Sequence, residues 1–275
     1  MSSRIAGVKM NKIEKDTNSM SFLCAYHTDA GIKKKTNQDS LYVAEASTAI
    51  GPVFFALVCD GMGGLSEGEL ASSEVCKAFA KWFREELPFL IIQELTAENL
   101  ETSWVAQLEN TNENLLDYSS CKHLSLGTTA VALLLTNTHY YAISIGDSRL
   151  YQINDALYQI TKDQTVVQNE VDLGLLSKEQ AEQDSRRNVL LQCIGVKNRI
   201  EPEFYWGSYS HKTVFLLCTD GYRHVVTPQE FYENLNPTKM LTEEQMLSNL
   251  TLLLNLNKKR NETDNITALT VRMMP

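Results

Sequence analysis

Apolar positions along the chain follow two rhythms. Short continuous runs mark strands, and three- and four-residue spacings mark helices. The clearest run is Val53-Phe54-Phe55-Ala56-Leu57-Val58-Cys59, unbroken and therefore a strand buried on both faces. Residues 21–27 and 41–46 read as strands before it, and 53–59 pairs with the second of these or lies near it. Between Ser66 and Leu87 the stripe Ala71, Val75, Ala78, Phe79, Trp82 predicts a helix that Pro88 ends. A second helix is expected over 98–119, with Leu100, Trp104, Leu108 and Leu115 on one face. Strands then follow at short spacing over 127–135, 139–145, 149–153 and 157–161. They predict an antiparallel meander in which Gly146-Asp147-Ser148 is a tight turn. The pattern loosens over 163–188 into an exposed excursion with short helices at 166–176 and 178–183. Strands return at 200–206 and 213–218, the latter central. Helices over 228–235 and 243–256, the second carrying Met246, Leu250 and Leu253, precede a closing strand at 266–273.

Short connections between about ten strands favour two antiparallel β-sheets packed face to face over a parallel sheet. With helices on the outer faces, the expected fold is α+β, an α-β-β-α sandwich. Residues 21–275 read as a single domain, and residues 1–20, polar and without periodicity, as a flexible N-terminal extension. The 275 residues are 43% hydrophobic, enough for a sizeable core, and carry a net charge of -9. That charge argues against nucleic acid or an anionic membrane as partner and suits a site that gathers cations. No apolar run approaches the ~20 residues that span a bilayer, and no secretory signal is visible. The six cysteines form no close pair, so free thiols in a cytoplasmic protein are expected.

Chemistry enters where the core strands end. The run 53–59 stops in Asp60-Gly61-Met62-Gly63-Gly64, and Val214–Cys218 is followed by Thr219-Asp220-Gly221. A third aspartate lies in Thr263-Asp264-Asn265-Ile266-Thr267 and a fourth in Asn37-Gln38-Asp39-Ser40. A carboxylate at the end of a buried strand is costly unless a positive charge meets it. Aspartates without cysteine or histidine companions suit magnesium or manganese, not zinc or copper. Two such carboxylates ~4 Å apart repel by about 4 kcal/mol at an effective dielectric near 20, so stability should depend on the ion. Paired ions ready a bridging water and hold a phosphate oxygen. The reading is phosphate-ester hydrolysis by water, without a covalent enzyme intermediate. Each piece alone has a plainer meaning: Asp-Gly is a common turn, and Lys33-Lys34-Lys35 is a solvated one. The five histidines are scattered and suggest no nucleophile.

Taken in order, the stretches Asn37–Ser40, Cys59–Gly64, Gly127-Thr128-Thr129-Ala130, Gly146-Asp147-Ser148-Arg149-Leu150, Arg187–Leu190 with Ile194-Gly195, Thr219–Gly221 and Asp264–Thr267 resemble the metal-dependent protein phosphatases (PPM, type 2C) in their bacterial form. The resemblance covers about residues 22–273. It implies a central sandwich with a dimetal site at one end, loaded with two Mn2+ or Mg2+ ions. By that resemblance Asp60 bridges the ions, Gly61 gives its carbonyl, Asp220 and Asp264 complete the first ion, and Asp39 holds the second. Asp147 would bind a weaker third ion with Asp220. Lys34 stands where the family carries a phosphate-binding arginine, a point charge in place of a fork. Residues 163–190 correspond to the flap that touches protein substrates.

The sequence departs from the family pattern at several positions. Gln38 replaces an acidic residue before Asp39, His224 follows Asp220, and Asp184-Ser185 replace a His-Pro pair. The implied function is a protein serine/threonine phosphatase, a monomer acting on phosphorylated proteins and opposing a kinase. Gln38 and Lys34 motivate the alternative, a phosphoprotein-binding pseudophosphatase with a weakened second ion site. A hydrolase of small phosphate esters is a third reading.

Overall fold

The computed structural model describes residues 21–63 and 67–274. The expected extension over 1–20 and Ser66, where the first helix was expected to begin, lie outside the described residues. Strands β1 (Ser21–Asp29), β2 (Ser40–Thr48), β3 (Gly51–Cys59) and β4 (Gly61–Gly63) lead into helices α1 (Gly68–Glu85), α2 (Leu87–Ile92) and α3 (Ala97–Lys122). Five strands follow: β5 (Leu126–Thr128), β6 (Ala130–Leu135), β7 (His139–Ile145), β8 (Arg149–Ile153) and β9 (Leu157–Gln159). Then come α4 (Val166–Asp172), α5 (Lys178–Gln183), β10 (Glu203–Ser208), β11 (Val214–Cys218), α6 (Asp220–Arg223), α7 (Pro228–Leu235), α8 (Glu243–Lys259) and β12 (Ile266–Met274).

Two five-stranded antiparallel sheets form, in the orders β1-β12-β11-β8-β9 and β10-β7-β6-β3-β2. Strand alternation explains the layers. In β3, Phe54, Ala56 and Val58 join Leu133, Phe215, Leu217 and Leu269 between the sheets. The alternate residues Val53, Phe55, Leu57 and Cys59 pack outward with α1 and α3. There Phe55 stacks on Phe79 at 5.8 Å and Trp82 meets Trp104 edge-on at 5.6 Å. On the other side Val214, Leu216 and Cys218 of β11 pack against Leu250, Leu253 and Leu254 of α8. The helices thus cover both outer faces, as the α-β-β-α expectation requires.

The chain differs from its sequence reading in three places. The meander expected over 127–161 is split: β6 and β7 lie in one sheet, β8 and β9 in the other. Gly146, at φ +99, turns the chain across the layers, and Thr129 and Ser148 hydroxyls bond at 2.7 Å over the crossing. Pro88 does not end the helical region but sits in the first turn of α2, where its missing N–H has no partner to lose. Asp220 opens a one-turn helix, α6, so the plainer meaning of Asp220-Gly221 as a simple turn does not hold. At the far end of the second sheet, β2 and β3 are joined through Ala49 and Ile50, with Gly51 at φ +97.

Candidate active site

Register brings the aspartates together. Ser40 pairs with Cys59, so Asp39 and Asp60 lie side by side just beyond the β2–β3 pair. In the other sheet Cys218 pairs with Ala268 and with Arg149. Asp220 therefore leaves β11 beside the starts of β12 and β8, which Asp264 and Asp147 precede. Three hydrogen bonds sew the two sheet ends together. Thr219 Oγ1 donates to Asp39 Oδ2 at 3.1 Å, the Gln38 amide donates to Asn265 Oδ1 at 2.9 Å, and Thr129 bonds Ser148.

The backbone around Asp60 is fixed by the Thr128-Thr129 pair. The Asp60 amide donates to Thr129 Oγ1 at 3.1 Å, and its carbonyl accepts from Thr128 Oγ1 and the Thr129 amide, both at 2.9 Å. Gly61 must be glycine, because a Cβ there would sit 2.2 Å from the Gly68 carbonyl oxygen and 2.4 Å from that of Gln38.

Electrostatics registers the crowding. Burial pushes the Asp60 carboxyl well above the usual carboxylate range, and the charges of Asp39, Asp220, Asp147 and Asp264 push it further. Burial raises Asp39 to about 7, with Asp220 and Asp264 adding to it against hydrogen bonds from Thr267 and Thr219. Asp147 is raised to about 7, first by burial and then by Asp220, with Arg223 acting against them. Among the described residues, no three His, Cys, Asp or Glu side chains close into a ready-made ligand cage. Basic side chains lie on several of the carboxylates instead. Lys34 Nζ is 3.1 Å from Asp264 Oδ1, and Arg223 is 3.1 Å from Asp147 Oδ2. His224 lies 3.4 Å from both Asp220 and Glu262.

Within this cluster of described residues two carboxylate oxygens, Asp39 Oδ1 and Asp220 Oδ1, are buried without a hydrogen bond. Buried polar atoms are nearly always paired. Acceptor-only oxygens orphaned in an acidic cluster are a donor set for a hard divalent cation. The residues present therefore fit such ions at Asp39, Asp60, Asp220 and Asp264. Asp147 fits less well, since Arg223 holds it.

Lys34 lies at the half-exposed mouth. Burial works against its ammonium, but the hydrogen bond and charge of Asp264, then Asp60 and Asp220, raise its pKa. Asn265 ties the Lys34 loop down: its Nδ2 donates to the carbonyls of Ala30 and Thr36 at 3.1 Å each, while its Oδ1 takes the Gln38 amide. The excursion over 163–190 is braced within itself. Arg186 forks onto Glu170 at 2.8 Å and holds Asp184, and Thr165 bridges Leu190 at its root.

Sequence reasoning missed Asn265 as a tether, and missed Arg223 and Asp163. Asn265 stood inside a quoted motif. Arg223 carried no signal beyond its place three residues after Asp220.

Residues 28–257 match the family described as protein phosphatase 2C. The chain is 30% identical over 222 residues to the serine/threonine phosphatase stp of Listeria monocytogenes, a span of 80% of this chain and 85% of that protein. The crystal structure of serine/threonine phosphatase Stp1 from Staphylococcus aureus is similar at TM-score 0.79 and 25% identity, covering 96% of this chain and all of that one (100%). The catalytic domain of the serine/threonine protein phosphatase PstP, solved in complex with two manganese ions, is similar at TM-score 0.76 and 26% identity, covering 94% and 100%.

Proposed function

The chain belongs to the protein phosphatase 2C family, and from that premise we propose that its acidic end hydrolyses phosphoserine and phosphothreonine in proteins with the help of two divalent ions. The observation that carries this reading is the convergence of Asp39, Asp60, Asp220 and Asp264, with two buried oxygens left unpartnered. When bound, the ions supply Lewis-acid activation of water and neutralise charge at phosphorus. The chain's own residues do the rest. Asp60, Asp220, Asp264 and the Gly61 carbonyl would hold the first ion, and Asp39, beside Asp60, the second.

Thr219 orients Asp39 by its hydrogen bond, and Thr128-Thr129 fix the backbone from which Asp60 projects. Lys34 is the half-exposed cation at the mouth, where a substrate phosphate oxygen would compete with Asp264 for its ammonium. The flap over 163–190 borders the approach to this end through Gln164, whose Oε1 accepts from the Gly146 amide at 2.9 Å. Among the described residues no helix is long and apolar enough to cross a membrane. The net charge of -9 works against an anionic membrane as partner; the proposed setting is the cytoplasm, opposing a serine/threonine kinase. Manganese is the ion to test first.

The test is hydrolysis of a phosphothreonine peptide with added manganese. Activity should disappear with chelator and with Asp60→Asn. Turnover that persists through both changes removes the proposal.

A further inference from the structure

Arg223 ends α6, three residues after Asp220. Its Nη2 donates to both the backbone carbonyl and Oδ2 of Asp147, each at 3.1 Å, and lies 3.3 Å from Asp163 Oδ2. Asp163 is itself gripped by Arg149, whose Nε and Nη2 donate to its two oxygens at 2.7 Å each. Arg149 also donates to the Tyr151 hydroxyl at 2.8 Å. Two carboxylates thus face two guanidiniums in a largely buried cluster; the Arg223 side chain is 11% exposed and that of Asp147 6%. A guanidinium in a protein does not give up its charge, so a fixed cation stands beside Asp147 whatever the pH.

The family resemblance assigns Asp147 to a third ion. The geometry here disagrees. Asp147 Oδ2 and the Asp147 carbonyl already accept from a fixed cation. An ion approaching Asp147 must displace that cation or sit beside it, and like charges in a buried setting are disfavoured. We infer that Arg223 is a tethered cation that takes the third ion's place beside Asp147, so that the protein loads two ions and no third. This rests on the two-ion reading of the neighbouring site. Arg223 acts as a positioning residue: it holds Asp147 and, through Asp163, the root of the flap. The latch on that root is then built into the chain and does not depend on ion supply.

The test counts manganese bound to the metal-free full-length chain by equilibrium dialysis, with free ion read by electron paramagnetic resonance up to millimolar levels. Wild type should plateau at two ions, and Asp147→Asn should also bind two. Arg223→Met, which removes the charge and keeps the bulk, should bind three. The double variant Arg223→Met with Asp147→Asn should return to two. A third ion on wild type overturns the inference, as does loss of an ion in Asp147→Asn, which decides the matter even where Arg223→Met does not fold. A folded Arg223→Met that stays at two also overturns it and leaves the two-ion reading standing. A wild type that binds fewer than two overturns both.

Discussion

The acidic end makes a strong demand on the ion-free protein, and Asp39→Asn measures it. The Asp39 carboxyl rises from 3.8 to about 7 on folding, chiefly through burial. A raised folded-state value means the folded chain holds a proton the unfolded chain has released. That contribution is complete below pH 3.8 and is lost as pH climbs through about 7. The full loss corresponds to about 4 kcal/mol, of which about 3 kcal/mol accrues between pH 5 and pH 8. Asparagine keeps an oxygen for the Thr219 hydroxyl and carries no charge to desolvate.

In chelator-treated protein the variant should therefore gain on wild type as pH rises. Thermal melts at pH 5 and pH 8 read this directly, at roughly 2–4 °C per kcal/mol for a chain near this size. Comparing the two proteins at each pH cancels the acid sensitivity of carboxylates held low elsewhere, such as Asp163 and Glu230. Manganese should reverse the order. At about a hundred times its Kd a bound ion adds about 2.7 kcal/mol to wild type, and less to a variant lacking one ligand. A gap that stays flat from pH 5 to pH 8 refutes the reasoning, because burial of the Asp39 charge would then cost nothing.

Three further outcomes follow from the same geometry. Gly61→Ala forces a methyl against two backbone oxygens at 2.2 and 2.4 Å; it should cost about 1–3 kcal/mol by overpacking and weaken manganese binding in a titration. Asn265→Ala strips partners from Gln38, Ala30 and Thr36. It should lower stability by about 1–3 kcal/mol, seen in denaturant melts, and raise KM for a phosphopeptide more than it lowers kcat. Lys34→Ala should raise KM by on the order of tenfold, about 1.4 kcal/mol, while Lys34→Arg should restore or improve binding through its planar fork. Steady-state kinetics on one peptide distinguishes these two variants.

The elements that bury both faces were the ones legible beforehand. β3 and β11 are continuous apolar runs because helices cover one side and the opposite sheet the other, so their terminal aspartates stood out. The stripes of α1, α3 and α8 were readable for the complementary reason, that each buries one face and leaves the other to solvent. The crossing at Gly146–Ser148 was not. A three-residue link between apolar strands looks like a hairpin whether the next strand pairs or changes layer. What decides is the hydroxyl contact between Thr129 and Ser148, which lie 19 positions apart. The ion-pair cluster of Arg149, Asp163 and Arg223 was invisible because its members come from separate elements and share no spacing. Asp60 and Asp220 were found at the ends of core strands, with Asp264 and Asp39 grouped to them by their chemistry; their pairing by strand register appears only in the fold.

The β2–β3 turn sits at the opposite end of the sheet from these aspartates, nine residues of strand away, roughly 30 Å. Yet that turn sets which residues face one another along the ladder. Gly51 adopts φ +97, and a side chain there would collide with Asn137. A bulkier residue that shifted the pairing by one would invert every side chain along the strand. Asp39 and Asp60 would then no longer stand as neighbours at the other end. A position at the far end of the sheet is in this way a calibration point for the spacing of two carboxylates of the proposed ion site, and damage there would be felt as lost turnover before it was recognised as a fault in a hairpin.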